Sequence, residues 1–149
     1  MRKARECWPV LARKAEDQVR QWQNEIAQSQ SRLEQLQASL ERINQMYAEY
    51  RERQLQPQGQ QLGMDGHMNQ RQFMGQLLQL QQRVQQDLTQ AHATLAQQRK
   101  QLVLAEIEHQ KMKALAEQDQ REVARHAQKL EQRRLDDMAI SRFNLRPGL

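Results

Sequence analysis

The chain has 149 residues, of which 38% are hydrophobic and 4% aromatic, against about 45–50% apolar in ordinary globular domains. That composition excludes a large round core. The net charge of +5 and the abundance of glutamine describe a mostly solvated chain, and eight Gly and Pro residues in all leave little turn chemistry and favour helix.

The sequence predicts an all-α fold, because period-two alternation and β-branched runs are missing and Thr89 and Thr94 are the only threonines. Cys7 is the single cysteine, which excludes an intrachain disulfide and fits a reducing cytoplasm. The basic opening Met1-Arg2-Lys3 is followed too soon by Arg13, Lys14, Glu16 and Asp17 for a signal peptide, and no window has the apolar length of a membrane span.

A first helix is predicted over about 4–55. Its apolar residues alternate by three and four: Trp8, Ala12, Ala15, Val19, Trp22, Ile26, then Ser29 as a polar interruption, and Leu33, Leu36, Leu40, Ile43, Tyr47 and Tyr50. This is a heptad seam of about six repeats. The segment 56–68 collects Pro57, Gly59, Gly63 and Gly66 and is predicted as the reversing loop. A second helix is predicted over about 69–140, with Asn69 as its cap and Gln72 three residues on. Its seam runs through Phe73, Leu77, Leu80, Val84, Leu88, Ala91, Leu95, Leu102, Ala105, Met112, Ala116 and Val123, with a stutter-like four-four step from Leu80 through Val84 to Leu88. Residues 141–149, with Asn144, Pro147 and Gly148, are read as a frayed tail.

Two heptad segments joined by a short loop fold back on each other, and facing residues in such a hairpin have numbers that add to a constant. Tyr47 with Leu77, Leu40 with Val84, Leu33 with Ala91, Trp22 with Leu102, Val19 with Ala105 and Trp8 with Ala116 all satisfy one constant. The prediction is a single domain, an antiparallel coiled-coil hairpin of two long helices. Ser29 faces Leu95 and Ile26 faces Gln98, which makes the middle the weakest stretch by apolar burial. The second helix overhangs the first beyond Gln120 by about 20 residues, or about 30 Å.

Charge concentrates at the end where both termini lie. Residues 1–20 hold six basic and three acidic side chains, and residues 121–149 hold seven and four. Arg5, Arg13, Arg121, Arg125, Lys129, Arg133 and Arg134 are therefore candidates for docking on an acidic partner surface; the plainer reading is a solvated face with cations near a helix C-terminus. His92, His109 and His126 recur about 25 Å apart along one helix, too far for a shared metal. No phosphate loop, zinc motif or Ser/His/Asp set is present, and a slender two-helix hairpin offers no pocket. A protein that is not an enzyme, with no cofactor, no metal and no small-molecule substrate, is expected. Nucleic-acid binding is disfavoured because acidic residues interleave with the basic ones and no aromatic platform accompanies them. Both apolar stripes are consumed by the seam, which argues against direct membrane binding.

Around the reversal the chain reads Ile43-Asn-Gln-Met-Tyr-Ala-Glu-Tyr50-Arg51 and then Met68-Asn-Gln-Arg-Gln-Phe73-Met-Gly-Gln-Leu77; near the end it reads Glu131-Gln-Arg-Arg-Leu-Asp-Asp-Met-Ala139. These stretches resemble the FliJ family of the bacterial flagellar type III export apparatus. Its members show a Tyr-Arg step ending the first helix, a Gln-x-Phe opening the second and a Glu-Gln-Lys-x-x-Asp-Glu-like patch near the end. The resemblance implies a cytoplasmic stalk that inserts into the hexameric FliI-type ATPase ring, as the γ subunit does in rotary ATP synthases. It also implies contact with the FlhA-type export gate, escort of export chaperones, and association with the inner-membrane apparatus through partners only. For the gate contact it carries over Ile43, Tyr47, Tyr50, Phe73 and Leu77, with Met46 standing where a family tyrosine is often found. The alternatives are the equivalent stalk of a virulence injectisome and a structural coiled-coil adaptor, with a nucleic-acid binder third. For Tyr50 and Phe73 the competing reading is that they simply seal the closing turn.

Overall fold

A computed structural model describes residues 4–55 and 63–145. The chain is all-α, an antiparallel coiled-coil hairpin of two helices, α1 over Cys7–Leu55 and α2 over Met64–Leu145. Contacts divide it into two compact units, one of residues 21–102 and one formed by residues 1–20 with 103–149.

In the unit of residues 21–102, Ile43, Leu77 and Val84 form a buried cluster, with Leu36, Leu40, Phe73 and Leu88 packed against it. These are the residues that the heptad spacing places on the seam. The Tyr50 and Phe73 rings meet at 4.6 Å between centroids and tilt by 42°, a geometry that adds about 0.5–1.5 kcal/mol to burial alone. The Arg53 guanidinium lies 5.5 Å from the centre of the Tyr50 ring.

Leu80 departs from the expected seam, being 47% exposed. The seam passes instead through Gln81, half-buried, whose Nε2 donates to Asn44 Oδ1 at 2.6 Å. Read through Gln81, the three-four spacing is regular from Leu77 to Val123, and the expected stutter at Val84 disappears. The central layers also bury more than expected: Ile26, Ala91 and Leu95 are all buried, Leu95 to 4% exposure. The polar cost falls on Gln98, whose Oε1 is buried without a hydrogen-bond partner.

In the unit of residues 1–20 with 103–149, the N-terminal turns of α1 lie along α2. Here Ala105 is buried and Trp8, Ala12, Ala15 and Val19 are half-buried. α1 begins at Cys7 with Pro9 in its first turn, where a missing N–H costs no helical hydrogen bond. α2 continues past the start of α1, and every residue from Gln128 to Leu145 is exposed.

The ends of α2 differ from expectation. Residues 56–62 of the predicted loop and 146–149 of the predicted tail lie outside the described residues. Residues 64–68, assigned to the loop, are helical, with the His67 N–H donating to the Gly63 carbonyl at 3.2 Å. Asn69 is consequently inside the helix and caps nothing. Gly66 costs only about 1 kcal/mol relative to alanine in a helix, less than its neighbours recover by extending the backbone ladder. At the other end Ser141 and Asn144 are weak breakers, and the helix runs through them to Leu145.

Two substitutions measure the seam. Leu77→Ala is expected to lower the unfolding free energy by about 2–4 kcal/mol, and Gln98→Leu to raise it by about 1 kcal/mol by removing an unpaired buried acceptor. Urea unfolding followed by circular dichroism checks both; a destabilised Gln98→Leu would show that the amide has a partner in solution.

Candidate partner-binding surfaces

The five residues expected at the loop end do not form one exposed surface. Ile43 and Leu77 are buried at 7% and 5% exposure, committed to the contact between the helices. Tyr47, Tyr50 and Phe73 are half-buried, the last two against each other. Met46, Leu55, Met68, Leu78 and Leu80 are the large apolar side chains left open there among the described residues. Met46 and Leu80 share a groove with Ser39 and Arg42, floored by Ile43 and Val84. The signal for Met46 was its place off the seam: an apolar residue outside heptad positions has no intramolecular partner to bury it.

At the other candidate surface, Arg5, Arg13, Arg121, Arg125, Lys129, Arg133 and Arg134 are all exposed. Arg121, Arg125, Lys129 and Arg133 recur every fourth residue and so form a continuous cationic stripe on α2. Arg134 lies about 100° around the helix from Arg133 and outside that stripe. Like charges at this spacing repel by a few tenths of a kcal/mol per pair, a cost that packing does not repay on an exposed helix. Arg121 also meets Glu117 at 3.8 Å in an exposed pair, too solvated to hold the side chain in place. Arg13 lines a shallow groove with Pro9, Ala12, Glu16, His109 and Lys113.

Arg5 acts first through its backbone. Its N–H donates to Asp119 Oδ2 at 2.7 Å, and Asp119 is 6% exposed, the one buried charged residue among those described. A carboxylate from α2 thus meets the positive end of the α1 dipole and satisfies a backbone donor at the start of that helix. The constant-sum pairing sets Arg5 opposite Asp119, a partnership visible in the sequence only when polar as well as apolar positions are paired. No described helix is long and apolar enough to cross a membrane.

A family model described as flagellar FliJ protein matches residues 9–148. The chain belongs to the FliJ family. Neither comparison with curated proteins nor comparison with solved structures gives a match. Membership makes the chain a component of flagellar protein export, as the stretches around Tyr50, Phe73 and Glu131 led one to expect.

Asp119→Ala is expected to cost about 0.5–2 kcal/mol, the range for a lost helix cap, with the effect localised to the first turns of α1. Amide hydrogen exchange over residues 5–12 checks this; unchanged protection at those amides would remove Asp119 from the role of cap.

Proposed function

We propose that the chain is the central stalk of the export ATPase, entering the FliI-type hexameric ring with the exposed part of α2. The observation that carries this is the run from Gln128 to Leu145, helical and exposed throughout, onto which the stripe begun by the exposed Arg121 and Arg125 continues as Lys129 and Arg133, on a member of the FliJ family. A long helix without a companion is entropically expensive to keep and carries little cohesion of its own. Its spacing of cations suits an acidic ring lining, where rim charges speed and orient association. Arg5 and Arg13 extend the positive field at the same docking end. The chain hydrolyses nothing in this reading and acts on the ATPase by contact.

The loop end is the surface offered to the FlhA-type gate. Ile43 and Val84 floor that surface, with the buried Leu77 and the half-buried Tyr47, Tyr50 and Phe73 beside it and Met46 and Leu80 making the contact. Thioether and leucine side chains in a shallow groove suit an adaptable apolar partner. Chaperone escort and association with the inner-membrane apparatus follow from the same assembly, with all contact to the membrane made through partners.

Steady-state ATP hydrolysis by the ATPase tests the ring contact. Full-length chain is expected to stimulate it, truncation after Gln120 to abolish the effect, and Arg125→Glu with Lys129→Glu to raise the half-maximal concentration by about tenfold. Absence of stimulation at any ratio would sink the stalk reading. For the gate, Met46→Asp and Leu80→Asp are expected to weaken binding to the FlhA-type cytoplasmic domain by about tenfold or more at unchanged melting temperature. Wild-type affinity in both variants would move the gate contact elsewhere.

A further inference from the structure

Beyond the start of α1, the face of α2 that continues the seam runs through Leu130, Arg133, Asp137, Ile140 and Asn144, with polar residues at three of the five positions. Nearly on the opposite face, about 150° round the helix, lies a second stripe with strict three-four spacing: Gln128, Glu131, Leu135, Met138, Arg142 and Leu145. All six are exposed, Leu135 at 51%, Met138 at 44% and Leu145 at 82%. Leu135, Met138 and Arg142 line one groove with Ala139 and Phe143. This is coiled-coil spacing with no partner helix among the described residues.

We propose that the stripe pairs with the same stripe of a second copy, antiparallel, about a two-fold axis that passes between Asp136 and Asp137. The charges on the stripe select that occupant and that direction. Antiparallel pairing about this axis sets Leu135 against Met138 of the second copy and Met138 against its Leu135, so the apolar pair is made twice. Glu131 then faces Arg142 of the second copy and Arg142 faces its Glu131, two opposite-charge pairs bracketing the apolar centre. A parallel pair would set Glu131 against Glu131 and Arg142 against Arg142, like charges at seam positions. Polar residues within a seam lower stability but fix orientation and register, and self-complementarity about a two-fold is the mark of an isologous contact. The second copy's Leu145 lies beside Gln128, which leaves Asp119 and the first turn of α1 clear. With two apolar layers the association belongs to the small, transient class of interface. It uses the same exposed helix that the stalk reading assigns to the ATPase ring, so a chain in the ring is released from its pair, but the pairing itself does not depend on that reading.

Sedimentation equilibrium of the full chain, from about 10 μM to about 1 mM, tests the proposal without any ATPase. A monomer–dimer equilibrium is expected within that range. Glu131→Arg and Arg142→Glu should each weaken it by about tenfold or more, since either places like charges in both outer layers. The double variant should recover the wild-type constant to within about threefold. All these side chains are exposed, so circular dichroism is expected to be unchanged throughout. A monomer at every concentration overturns the proposal. So does a dimer indifferent to the single substitutions, or one that the double swap fails to restore.

Discussion

The structure depends on one constraint: each helix can bury a single stripe, and only against the other helix. In a bundle or a globular domain a residue is enclosed from several sides; here no large side chain among those described is fully buried. Cohesion is therefore spread thinly along the seam in layers such as those of Ile43, Leu77 and Val84 rather than concentrated in a centre. The same thinness leaves most of each helix circumference in water, available to partners without loss of packing. A protein whose work is to touch other proteins gains surface from this architecture and forgoes an enclosed site.

Because the seam alone holds the helices, the unequal reach of α1 and α2 has direct consequences. Where α1 begins, α2 loses its apolar company, and the structure marks that boundary with a charge. Asp119 closes the α1 start by accepting from the Arg5 amide. Past it the sequence no longer maintains an apolar seam, and Arg133, Asp137 and Asn144 occupy positions that would have faced a longer α1. The loss of pattern is a statement about partners: a helix that keeps three-four spacing on a different stripe is prepared for contact outside the hairpin.

The fold was legible in the sequence to the extent that it rests on periodicity. Three-four spacing identified both helices and their pairing, and Tyr50 with Phe73 and Arg5 with Asp119 meet within one residue of the predicted partners. Leu80 was misplaced because hydrophobicity outweighed register; a leucine fits a seam, but regular spacing from Leu77 requires Gln81. Boundaries were the least readable feature, since Gly66 and Asn69 act as breakers only where the helix has no reason to continue, and the first turns of α2 extend through both. Among the site residues, Ile43 and Leu77 were named twice, once as seam and once as partner contact. Both are buried between the helices, and Met46 and Leu80 are among the exposed apolar residues at that end.

The two candidate surfaces differ in how they resist mutation, and that follows from the same constraint. At the loop end the exposed groove is floored by Ile43 and Val84, which also hold the helices together, so changes to the floor perturb fold and contact at once. On the exposed stretch of α2, from Gln128 to Leu145, no side chain is shared with the packing between the helices. Substitutions in Lys129 and Arg133, and in the equally exposed Arg121 and Arg125, are therefore expected to have little effect on stability. Helix continuity is the property that stretch cannot lose: a proline at Lys129 would remove a backbone hydrogen bond and clash with the preceding turn, and would turn the residues beyond it away from the stripe while leaving every seam layer intact.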